Sequence, residues 1–303
     1  MSHEHDHATN GNTSRLAIAF SITASILIAE VIGAFLTGSL ALLVDAAHML
    51  TDAGGLLMAL IAARLALRAP TSRRTWGFRR AEVLSATAQA AILLAVGLYA
   101  FIEGVQRLFS PPEVSAGGLL VFGIIGLVGN LVAIAILNSR RSANLNLRAA
   151  FLEVLNDALG SVAVIISAIV IATTGWTQVD AIAAMIISAL IIPRAVILLR
   201  ETASILLEST PKGLDLDAVR NHILELPHVT SVHDLHASQI ATGLPTLTAH
   251  VVVDDSCFFD GHAPKMLADL QGCVAKHFDV SVEHSTFQIE RAGHTDHETS
   301  THV

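Results

Sequence analysis

Long apolar runs separated by short polar breaks fill the first two thirds of the chain, and the pattern changes after Pro211. Six runs are long enough to cross a hydrocarbon core of roughly 30 Å, at residues 15–36, 40–67, 82–109, 116–137, 149–173 and 179–199. Each predicts a membrane helix. Thr37-Gly-Ser39 is so tight a link that the first two helices must be antiparallel neighbours, and residues 110–115 and 173–178 are short turns with breaker residues. Beyond Pro211 the periodicity predicts a helix at 214–226, strands at 229–240 and 246–253, a helix at 262–278 and a strand at 280–290. That order fits helices on one face of a small antiparallel or mixed sheet. The expected organisation is a tail at 1–14, a six-helix membrane domain at 15–200, a soluble α+β domain at 211–290 and a tail at 291–303.

Composition supports this division. The chain has 303 residues, 52% hydrophobic and only 15% charged, with a mean hydropathy of +0.60, too apolar for an ordinary soluble domain of this size. Lys212 is the first lysine, and the formal charge of −8 comes mostly from the region after residue 200. An acidic balance argues against nucleic acid as a partner. Arginines orient the bundle: the end of the second helix and the connection after it contain Arg64, Arg68, Arg73, Arg74, Arg79 and Arg80, and the connection after the fourth contains Arg140, Arg141 and Arg148. The other three connections have no Lys or Arg, so the positive-inside rule places the arginine loops and both termini in the cytoplasm. Met1 to Gly11 is polar and His-rich, without the short apolar stretch and cleavage site of a removable signal, so the first membrane helix is expected to direct insertion. The expected location is a bacterial inner membrane. Cys257 and Cys273 show no paired spacing and read as free core thiols.

Two of the membrane segments share an acidic signature. Aligning Asp45-Ala-Ala-His48-Met-Leu-Thr-Asp52-Ala with Phe151-Leu-Glu153-Val-Leu-Asn-Asp157-Ala sets His48 over Glu153 and Asp52 over Asp157. The i, i+4 spacing puts each pair on one helical face, a turn apart. Ionisable groups at membrane depth cost roughly 2.5 kcal/mol or more each and mark functional sites by default. Of fifteen histidines, His48 is the only one between residues 8 and 221. A structural hydrogen-bond network would not need two matching pairs on separate helices, so the four side chains are read as ligands of one divalent cation. Matching segments in the two halves of a chain also point to the midplane site of a transporter.

The chain resembles the cation diffusion facilitator family, dimeric exporters of zinc and related ions. The match is carried by Gly38-Ser-Leu-Ala-Leu-Leu-Val-Asp-Ala-Ala-His48-Met-Leu-Thr-Asp52, Gly77-Phe-Arg-Arg-Ala-Glu82, Phe151-Leu-Glu-Val-Leu-Asn-Asp157-Ala-Leu-Gly-Ser161 and Leu206-Leu-Glu-Ser-Thr-Pro211. It implies six transmembrane helices with a ferredoxin-like, metallochaperone-like cytoplasmic domain, a homodimer, and metal exchanged for protons at a tetrahedral site of His48, Asp52, Glu153 and Asp157. Where the zinc-type pattern has histidine, this chain has Glu153. Zinc accepts carboxylate oxygen, and oxygen-rich sites also suit manganese and other harder ions, so zinc is expected foremost, with cadmium, cobalt and manganese as alternatives. Three carboxylates a few ångströms apart cannot all stay ionised in an empty low-dielectric site, so protons compete with metal.

In the soluble domain, the resemblance makes His233, His250, His262 and His284 candidates for regulatory metal sites near a dimer interface. The acidic ligand that some relatives supply after the last histidine is Thr286 here. His3, His5, His7, His294, His297 and His302 give His-rich tails suited to loose metal capture. Glu30, Asp45, Asn130 and Asp180 are read as lining the path or holding helices together, and Arg79, Arg80 and Glu82 as a charge network between protomers or to lipid. No cofactor besides the transported ion is expected. The competing function is a metal-sensing membrane receptor without transport; a metallohydrolase lacks its His-Glu-x-x-His.

Overall fold

The computed structural model describes residues 4–138 and 145–294. Six long helices stand where the six apolar runs were expected: α1 (Glu4–Thr37), α2 (Leu40–Ala66), α3 (Arg80–Phe109), α4 (Ala116–Asn138), α5 (Leu145–Thr174) and α6 (Gln178–Leu206). By length and composition, four described helical stretches can cross a membrane: Arg80–Phe109, Ala116–Leu137, Val154–Thr174 and Gln178–Leu206. α1 adds the shorter apolar stretch Ser21–Thr37, and the apolar run of α2 is interrupted by Asp45, His48, Asp52 and Arg64. Two ends differ from expectation. α1 begins at Glu4, inside the expected tail, since a nucleated helix propagates without needing an apolar face. α6 continues through Pro193 to Leu206, although proline removes one backbone donor there.

The chain divides into two compact units, Met1–Met58 with Ala88–Leu199, and Ala59–Thr87 with Arg200–Val303. In the first, Leu40, Leu42 and Val44 of α2, Leu93 of α3, Leu119 of α4, Val164 of α5 and Ala184 of α6 form one buried cluster. The periphery stays apolar, with Phe35, Leu98, Ile124, Ile166 and Leu190 all exposed, as suits a lipid-facing surface. Gly38 takes a φ of +72° to end α1, a conformation that costs glycine little. The tight link that follows is pinned from α6: Asp180 accepts hydrogen bonds from Ser39 Oγ at 2.5 Å and from the Leu40 amide at 2.6 Å. Arg107 of α3 donates to the Gly38 carbonyl at 2.8 Å. Asp180 thus holds helices together, one of the two roles expected for it.

The second unit contains α7 (Leu216–Leu224), β1 (Val229–Ala241), β2 (Leu244–Val253), a 3-10 turn (Asp255–Phe258), α8 (Ala263–Lys276) and β3 (His284–Glu290). The sheet order is β1-β2-β3, with β1 antiparallel and β3 parallel to β2. The expected α-β-β-α-β order is therefore present, with a mixed sheet. Asp215 caps α7 by accepting from the Asp217 and Ala218 amides, satisfying donors a helix start leaves open. Val219 and Ile223 of α7, Leu270 and Val274 of α8, and Leu247, Val251 and Phe287 of the strands share one core with Cys257 and Cys273, both free buried thiols. β1 slips register between His233 and His236, where Asp234 has a φ of +49°.

Candidate metal sites

The α2 pair has the geometry its spacing predicts. His48 Nε2 lies 3.4 Å from Asp52 Oδ2, and the two residues are 9% and 8% exposed. On α5, Asp157 is 3% exposed. The Glu153 side chain lies outside the described residues, so the fourth expected ligand has no geometry here.

Helices α2 and α5 meet one turn from the pair. Asp45 packs on Gly160, where a β-carbon would stand 2.6 Å from Asp45 Oδ1. Any larger residue at 160 would make the Asp45 carboxylate shift, and small residues let membrane helices come together in this way. Asp45 and His48 line a cavity of about 380 Å³ with Asn156 and Gly160 of α5 and Ile187 and Arg194 of α6. Behind it, Glu30 of α1 is buried within electrostatic range of Asp45 and Asp157, and Asn130 of α4 donates to Ser161 Oγ of α5 at 3.4 Å. Among the described residues, nothing donates a hydrogen bond to Glu30 Oε2, Asp45 Oδ2 or Asn130 Oδ1. Two like charges about 4 Å apart repel by about 4 kcal/mol at an effective dielectric constant of 20, so such a group of acids favours a divalent cation or protons as neighbours.

In the second unit, His233 and His250 are direct partners across β1 and β2, and Glu290 closes on them from β3. Glu290, 3% exposed, places its carboxylate 3.6 Å from His233 Nε2 and 2.8 Å from His250 Nδ1. One ligand atom from each of the three residues lies within 4.8 Å of the others. The bulge in β1 brings Asp234 3.8 Å from His250 and 3.0 Å from His236. Two imidazole nitrogens and a carboxylate are donor types that zinc accepts.

His262 and His284 stand elsewhere in the chain. His262 precedes α8 and pairs with Asp260, Nδ1 to Oδ1 at 2.8 Å, while the His284 ring packs edge-on against Trp76 at 4.8 Å. Hydrogen bonds from His262 hold the Asp260 carboxyl below the usual range, the backbone amide contributing most. Sequence reasoning missed Glu290 and Asp234. Glu290 had a signal, an acid ending a strand that otherwise alternates; Asp234 depends on the bulge. Arg80, expected in a network between protomers or to lipid, pairs with Glu208 of its own chain at 2.7 Å. His3, His297 and His302 lie outside the described residues, and His5 and His7 stand in the first turn of α1.

The family model for the cation efflux transmembrane domain matches residues 16–207, and that for the cation efflux protein cytoplasmic domain matches 211–292. The metal cation efflux system protein CzcD of Cupriavidus metallidurans is 42% identical over 96% of this chain and 90% of its own length. The zinc transporter ZitB of Pectobacterium atrosepticum is 40% identical over 96% and 89%. A cadmium, cobalt and zinc/H(+)-K(+) antiporter of Bacillus velezensis is 37% identical over 97% and 93%. With both of its domains matched and relatives aligned over nearly its whole length, this multi-pass membrane protein belongs to the cation diffusion facilitator family of cation efflux transporters.

Proposed function

We propose that the chain is a secondary active transporter that exports divalent metal ions, zinc foremost, from the cytoplasm in exchange for protons. The observation that carries this reading is the buried His48–Asp52 pair on one face of α2, set against α5 by the contact of Asp45 on Gly160. His48, Asp52, Glu153 and Asp157 bind the cargo. Relatives named for zinc, and for zinc with cadmium and cobalt, support the same class of ion. Three carboxylates and one imidazole extend the candidate range to manganese.

Coupling follows from charge. A divalent ion entering on the cytoplasmic side displaces protons from the carboxylates, and protons arriving from the opposite side discharge it. The helices rock between inward and outward access about the fixed site. The working form is a homodimer in lipid with both termini cytoplasmic and six crossings, in a bacterial inner membrane. The organisation remains a tail at 1–14, a membrane domain at 15–200, a cytoplasmic domain at 211–290 and a tail at 291–303. His233, His250 and Glu290 form the regulatory site of the cytoplasmic domain, with His262 and His284 outside it in one chain.

The test is zinc, cadmium, cobalt and manganese flux in proteoliposomes under an imposed pH gradient, for the native chain, Asp157→Ala and Glu153→His. Gradient-driven zinc flux abolished by Asp157→Ala is the expected result, and a changed ion preference in Glu153→His makes that carboxylate the selectivity filter. Native flux in Asp157→Ala would instead favour the sensor reading.

A further inference from the structure

A second ligand cluster lies between α7 and α8, apart from the His233 triad. Cys273 and His277 are four residues apart at the end of α8, so they share a face one turn apart. His222, in the last turn of α7, approaches them: its Nε2 is 2.8 Å from His277 Nδ1. Ligand atoms of His222, Cys273 and His277 all lie within 4.8 Å of one another. A tetrahedral zinc ion, with bonds of about 2.0–2.1 Å to nitrogen and about 2.3 Å to sulfur, needs its nitrogens about 3.3 Å apart. Opening the two imidazoles by half an ångström is within the range of side-chain rotation alone.

The surroundings suit a site as well as the spacing does. Glu225 Oε2 is 3.6 Å from the outer nitrogen of His222, Nδ1. A small rotation would bring that carboxylate onto the far nitrogen, where it would hold the proton and leave Nε2 as the inward lone pair, an arrangement that usually accompanies metal-bound histidine. Phe278 packs edge-on against the same ring at 5.7 Å. Cys273 is 2% exposed, whereas His277 is exposed, so an ion reaches the thiol from the solvent side. Burial pushes the Cys273 thiol up, and binding must therefore displace its proton.

We propose that His222, Cys273 and His277 bind a borderline divalent ion of the zinc, cobalt or cadmium type, with Glu225 as a positioning residue. One thiolate and two imidazoles select against magnesium, calcium and manganese, which prefer oxygen. Three protein ligands leave a fourth position for water or an exchanging ligand, so the ion is delivered and released rather than locked in. Its presence clamps α7 to α8. The inference stands whether or not the chain transports metal.

The test is a cobalt titration of the full-length protein in detergent, in an Asp157→Ala, His250→Ala background. Cobalt bound to a thiolate gives a sulfur-to-metal charge-transfer absorption that oxygen and nitrogen ligands do not. The expected band saturates at a single equivalent, disappears in Cys273→Ser, persists in Cys257→Ser, and weakens in affinity by at least about tenfold in His222→Gln and His277→Gln. His277 is exposed and His222 only half-buried, so their variants report on the site even if Cys273→Ser perturbs the core. Glu225→Gln weakens binding less than either histidine variant, and zinc and cadmium displace the band. Absence of the band in the background protein, its survival in Cys273→Ser, or indifference to both histidine variants would overturn the proposal.

Discussion

Asp45 of α2 lies directly on Gly160 of α5, near enough that a β-carbon at position 160 would stand 2.6 Å from its carboxylate. This contact joins α2 and α5 one turn from His48. Gly160→Ala is expected to cut zinc flux at least tenfold by forcing α2 and α5 apart. Gly54→Ala is the matched control, because a β-carbon there meets nothing within 4 Å, and alanine favours a helix by about 1 kcal/mol over glycine. Flux in proteoliposomes at equal protein loading separates the two; equal loss in both would show that the Asp45 contact has no special part.

The Ser39 hydroxyl and Leu40 amide donate to one carboxylate, Asp180. Asp180→Ala strands both donors in a buried link, at about 1–3 kcal/mol for each. Asp180→Asn keeps an acceptor oxygen and should lose about half as much. Thermal unfolding in detergent is the measurement, and a midpoint for Asp180→Ala equal to that of the native chain would contradict the pinning role.

The sheet triad predicts an ordering among the four histidines that the sequence singled out. In an Asp157→Ala background, His250→Ala and Glu290→Gln should weaken zinc binding to the full chain by more than about tenfold, as loss of a metal ligand does. His262→Ala and His284→Ala should leave it within about twofold, since neither ring joins His233 and His250 in one chain. Calorimetric titration reads both groups, and the reverse ordering would remove Glu290 from the site.

Asp260 supplies a pH dependence with a definite sign. Its carboxyl is held below the usual range, first by the His262 backbone amide, which donates to Oδ1 at 3.0 Å. A depressed folded value means the contribution is full above the ordinary aspartate range and is lost as pH falls through the folded value. The segment leading into α8 should therefore loosen under acid, and Asp260→Asn should flatten that limb. Hydrogen exchange at the α8 amides as a function of pH measures it; unchanged acid behaviour in the variant would assign the loosening to another group.

Local periodicity made much of this protein readable. The i, i+4 pair on α2 and the α-β-β-α-β order both follow from side-chain spacing. Features set by partners distant in sequence were not readable. β3 was expected from residue 280 but begins at His284, because the Val282 amide donates back to the Val274 carbonyl at the end of α8. Glu290 becomes a neighbour of His233 and His250 only through the parallel register of β3 on β2. Arg80 finds Glu208 across 128 positions, a pairing that no local pattern encodes.

The parallel pairing of β3 with β2 has a consequence for how the chain is made. A parallel partner needs a crossover, here through α8, before it can dock. The triad takes one residue from each strand, so during synthesis His233 and His250 leave the ribosome long before Glu290 can join them. Domains form as units while the chain emerges, and a nascent cytoplasmic domain has only two imidazoles to offer until its third strand is in place. A metal held by these three residues, as proposed, therefore finds its complete ligand set only once the third strand has docked.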